Sequence, residues 1–136
     1  MTGTARLARL HRVRTLQLGL ARADEARALA QVTSEQQLAQ RIAALAAAVA
    51  PEPSLLPGAA HLAAAAHFRD RLHRSADAAE ERVRTAEMLA DRRSEATRAA
   101  HRDQTAVEKL IDRQRAEATR AAMKALEDMP VSRPRR

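Results

Sequence analysis

The chain has no cysteine, no tryptophan and no tyrosine, and Phe68 is its one aromatic residue. Without cysteine there is no disulfide framework and no thiolate chemistry, which fits a reducing cytoplasm. Without aromatic side chains, single-stranded nucleic acid finds no stacking platform, and an amphipathic membrane-surface helix lacks the bulky groups it would insert. No apolar run approaches the roughly 18 residues of a membrane span, and no secretory signal is expected. Glycine occurs three times, too few for a phosphate-cradling loop. Proline occurs five times, at 51, 53, 57, 130 and 134, so the long stretches between these positions have nothing to interrupt a helix.

What is present agrees with that absence. Of 136 residues, 46% are apolar, and alanine dominates them. Alanine buries little area, so a core made of it is weak at about 25 cal/mol per Å², but it has the best helix propensity, with Leu, Arg, Gln, Lys and Glu close behind. Ala59 to Asp128 contains neither Pro nor Gly; such a run is one helix of about 105 Å at 1.5 Å per residue. Ala5 to Val49 is also helical, with Thr2 or Thr4 as cap and Gly19 as the weak point. Between them, residues 50–58 hold three prolines and a glycine, which breaks the chain. Leu55 and Leu56 are expected to tuck against that end. The sequence predicts an all-α fold, an antiparallel two-helix coiled-coil hairpin with a longer second helix and a disordered basic tail over 129–136.

Apolar spacing supplies the seams. In the first helix Leu10, Val13, Leu16 and Leu20 form one row, and Leu38, Ile42, Leu45 and Val49 a second, with Ala23, Ala26 and Ala30 holding the polar middle. In the second helix Leu72, Ala76, Ala79, Val83, Ala86 and Ala90 make a heptad row. It turns polar at Arg93, Thr97, Ala100 and Gln104, then resumes with Val107, Leu110, Ile111, Ala118, Ala122 and Leu126. Folding about residue 54 sets Ala5 opposite roughly Asp103, so the second helix overshoots by about 24 residues, some 36 Å. Val107, Leu110, Ile111, Met123 and Leu126 are then a stripe without an intrachain partner, an expected interaction surface. Self-association through the stripe is the plainer alternative.

A net charge of +7 favours acidic partners. Nucleic acid is the weaker candidate, because Arg alternates with Glu and Asp along the second helix and the strongest cationic run, Arg133, Arg135 and Arg136, has three charges only. The remaining polar residues suggest no catalysis. His11, His61, His67, His73 and His101 include no i,i+4 metal pair. The serines have no base beside them and no nucleophile elbow. Asp24 with Glu25, and Glu80 with Glu81, point from different helix faces. Asp70–Arg74 and Glu80–Arg84 read as surface pairs. No enzyme activity, metal or cofactor is expected.

Two segments carry a family resemblance. RLARLHRVRTLQLGLARADEARALAQ, Arg6 to Gln31, has a Leu-rich first turn, an Arg-rich stretch and an Ala/Leu run. AVEKLIDRQRAEATRAAMKALEDMPVSRPRR, Ala106 to Arg136, closes on Lys124, Glu127, Asp128 and a basic tail. With the hairpin, these resemble the FliJ family of flagellar type III export proteins, whose virulence-type counterparts share the shape. The resemblance implies a non-catalytic stalk similar to the central shaft of rotary ATPases. It would contact a hexameric export ATPase and an export-gate membrane protein and take part in cycling export chaperones, in the cytoplasm or peripherally at the inner membrane. On that reading Val107, Leu110, Ile111, Met123 and Leu126, with Arg113, Arg115, Arg120 and Lys124, are the partner-binding residues.

Overall fold

A computed structural model describes residues 2–49 and 58–130. Residues 50–57 of the expected loop, with Leu55 and Leu56 among them, and the tail arginines at 133, 135 and 136 lie outside the described residues. Among the described residues two helices make up the fold, α1 (Gly3–Ala48) and α2 (Ala59–Glu127), packed against each other as an all-α helical hairpin. Among the described residues no helix is long and apolar enough to cross a membrane.

Local chemistry sets the helix ends. The Thr2 carbonyl accepts from the Ala5 and Arg6 amides at 3.1 and 3.3 Å, while its hydroxyl accepts from that of Thr4 at 3.0 Å. Thr2 thus stands at the N-cap. The Gly58 carbonyl does the same for His61 and Leu62 at the start of α2. At the far end of α2 the Asp128 amide reaches the Lys124 carbonyl at 2.9 Å, and Lys124 places a positive charge in the last turn, where the helix dipole favours it. Pro130 follows and cannot continue the ladder.

Packing divides the chain into two units, one of Met1–Leu20 with Thr97–Arg136, the other Ala21–Ala96. In the second unit Ala79, Ala86 and Ala90 are buried, and Leu72, Ala76 and Val83 are half-buried. The heptad row expected on α2 is therefore its inward face. Facing it, α1 turns inward Ala28, Val32, Glu35, Ala39, Ile42 and Ala46, and Val49 just past its end continues the row. Ile42 and Val49 belong to this seam as expected. Leu38 and Leu45 instead stand exposed at its side, and so do Ala23, Ala26 and Ala30. Two cross-helix contacts fix the register: Arg82 Nε donates to Glu35 Oε2 at 3.2 Å, and Gln36 Nε2 to Glu87 Oε1 at 3.3 Å. Both surface pairs expected on α2 form, Arg74 to Asp70 at 2.8 Å and Arg84 to Glu80 at 3.4 Å.

That register moves the fold point. Residues 59–68 of α2 are all exposed, and Arg69 is the first to be half-buried. The first turns of α2 therefore run past the end of α1, whereas a pivot at the middle of the proline stretch would have put Val49 opposite Ala59. The reason is energetic: the burial of the heptad seam, and not the position of the prolines, sets how the helices align.

Candidate partner-binding surface

The first unit brings together the start of α1 and the last third of α2. On α1 Leu18 is 3% exposed, with Leu7, His11 and Arg14 half-buried around it. On α2 Val107 is 5% exposed, and Ala100, Gln104, Ile111 and Gln114 are half-buried. The seam is partly polar. Arg14 Nη1 donates to Asp103 Oδ2 at 3.0 Å, His11 Nε2 lies 3.2 Å from Glu108 Oε1, and Gln104 Nε2 donates to Thr15 Oγ1 at 3.0 Å. Gln104 was expected as a polar seam position, and its bond to Thr15 satisfies it there.

Two expectations change here. The row Leu10, Val13, Leu16 and Leu20 is not the seam: all four are exposed, Leu16 by 69% and Leu20 by 67%. The inward row is Leu7, His11, Arg14 and Leu18. An unbroken helix keeps its heptad phase unless residues are inserted to shift it, and α1 has no break at which the more apolar row could turn inward. Arg14 and His11 are tolerated inside because α2 supplies Asp103 and Glu108 at their level.

The second change concerns the overhang. The Gln114 side chain comes within 3.2 Å of where a Cβ on Gly3 would stand, so Gly3, the first residue of α1, is level with Gln114. Beyond Gln114, α2 continues to Glu127 with every residue exposed. The unpaired segment is therefore about 13 residues, some 20 Å, about half the expected length. The shortfall has the same cause as the displaced fold point.

The nine expected contact residues separate accordingly. Val107 is buried and Ile111 half-buried against α1, so both have a partner inside the chain and hold the hairpin together. Leu110 and Arg113 are exposed beside the seam. Arg115, Arg120, Met123, Lys124 and Leu126 lie on the unpaired segment and are exposed, Arg115 with Asp112 at 4.0 Å. An open groove at this end is lined by Ala8, His11 and Arg12 from α1 and by Ile111, Gln114 and Arg115 from α2. Such a surface offers guanidinium groups for bidentate contact beside exposed thioether and aliphatic side chains, and it suits docking against another protein. The exposed row on α1 was not among the expected contacts. Its spacing was visible, but its direction could be known only from the register.

No protein-family model, curated protein or solved structure matches the chain.

Proposed function

We propose that this chain is a non-catalytic coiled-coil stalk of a bacterial flagellar type III protein export apparatus. The single observation that carries the reading is the unequal pairing of the helices. α2 runs on past the start of α1 as an exposed segment, 115–127, that begins beside a groove lined in part by Arg12 and Arg115. A hairpin with one protruding helix suits insertion into the centre of a ring. Met123 and Leu126 then supply apolar contact, while Arg115, Arg120 and Lys124 supply charge. Arg6 to Gln31 and Ala106 to Arg136 are the segments that resemble the FliJ family, and one residue of each, His11 and Glu108, face each other at 3.2 Å at this end. On this reading the ring is a hexameric export ATPase, the export-gate membrane protein touches an exposed face of the hairpin, and export chaperones are further partners. The protein would work in the cytoplasm, peripherally at the inner membrane.

The test is reconstitution with the type III export ATPase of the same cell. The full chain is expected to bind the hexamer and raise its ATP turnover while showing none alone. A chain ending at Gln114 keeps its seam but is expected to lose both effects. Full binding and stimulation by that truncated chain would remove the segment from the contact. No effect of the full chain would reject the stalk reading.

A further inference from the structure

We infer that the outward face of α1 near its start is a second docking surface, and that it takes an acidic amphipathic helix of another protein. Val13, Leu16 and Leu20 follow heptad spacing, with Leu10 beside them, and all four are exposed because Leu7, His11, Arg14 and Leu18 face α2. Rows of this spacing bury their side chains against a helix. Gly19 lies alongside with nothing within 4 Å of an added Cβ, which leaves room for close approach.

Charge selects the occupant. Arg6, Arg9 and Arg12 are exposed on the same stretch of helix, and α1 contains no Asp or Glu before Asp24. Across the seam Asp103 and Glu108 face Arg14 and His11, and Asp112 lies 4.0 Å from Arg115. A second copy laid along this row brings the same arginines and no carboxylate from its own first 23 residues; like charges in register oppose that pairing. A lipid surface is poorly matched, because the row is one seam wide and without aromatics, whereas interfacial helices present a broad apolar face. A helix with Leu or Ile in its seam and Glu or Asp on the flanks satisfies both the apolar row and the arginines. Arg12 also lines the groove beside segment 115–127, but the substitutions below are at Arg9, Leu16 and Leu20, so this surface is tested independently of the proposed stalk function.

The experiment uses the full chain and two labelled synthetic helices of about four heptads, identical except that flanking Glu in one is Gln in the other. Binding is read by fluorescence anisotropy. The Glu peptide is expected to bind, to weaken as salt is raised, and to bind at least about tenfold more tightly than its Gln twin. Leu16→Ser with Leu20→Ser is expected to reduce Glu-peptide binding by about tenfold or more, with helicity unchanged because both side chains are in solvent. Reversing Arg9→Glu is expected to remove the preference for the Glu peptide. Equal binding of both peptides, no binding, or binding indifferent to Leu16 and Leu20 would overturn the inference. A concentration-dependent dimer abolished by the double substitution would assign the face to a second copy. Capture on phosphatidylglycerol vesicles abolished by it would assign the face to lipid.

Discussion

Replacing Leu18 with Ala removes a side chain that is 3% exposed, whereas the same change at Leu16 or Leu20 trims one that is 69% or 67% exposed. All three lie within a few residues on one helix, so the small propensity gain of Leu→Ala, a few tenths of a kcal/mol, is common to them and cancels. Fully burying a leucine contributes about 1.5–3 kcal/mol, and deletion in a closed core costs about 2–5. A seam between only two helices is open at its sides, so neighbours and water can close on the gap, which points to the lower end. The expected cost of Leu18→Ala is about 2 kcal/mol, against ~0.5 or less for Leu16→Ala and Leu20→Ala. Urea unfolding followed by far-UV circular dichroism resolves this: at a slope of about 2 kcal/mol per M the Leu18 variant should lose about 1 M in midpoint. Leu16→Ala or Leu20→Ala costing as much as Leu18→Ala would refute the assigned phase of α1, and with it the docking face.

Other substitutions probe different parts of the packing. Ala79 is fully buried, so Ala79→Leu should force the helices apart and lower stability by about 1–3 kcal/mol; a loosely packed seam would instead gain from the added leucine. Gly19→Ala should stabilise by about 0.5–1 kcal/mol, since the position is helical and open to solvent and Ala lowers the cost of ordering, a gain read as a raised melting temperature. A double-mutant cycle on Arg14 and Asp103, which are 37% and 53% exposed, should give a coupling of about 1 kcal/mol or less that shrinks with salt.

The sequence revealed α2 better than α1, for physical reasons. Along α2 the heptad spacing of Leu72, Ala76, Ala79, Val83, Ala86 and Ala90 and the direction of that row agree. Along α1 they conflict. Leu10, Val13, Leu16 and Leu20 are the more apolar row, yet Leu7, His11, Arg14 and Leu18 face α2, because two of these inward positions find charged or polarisable partners at Asp103 and Glu108. Hydrophobicity within one helix cannot reveal a carboxylate across the seam. The existence of an overhang was legible from unequal helix lengths, but its extent was not, because a proline-rich connection marks where the chain breaks and not where the helices align. Leu110, Met123 and Leu126 are exposed as expected; Val107 and Ile111 were misplaced by that same error in register.

The claim on which the account rests is that Thr15 is level with Gln104, which leaves α2 unpaired beyond Gln114. With no native cysteine, the chain can carry one pair at a time: Thr15→Cys with Gln104→Cys, or Ala5→Cys with Asp103→Cys. A short thiol-to-thiol crosslinker at high dilution followed by mass spectrometry should join the two cysteines within the first chain and not within the second, because Gln104 reaches Thr15 and Ala5 stands about ten residues further along α1. A crosslink in the second chain and not in the first would lengthen the overhang, return Val107 and Ile111 to the exposed surface, and contradict the register.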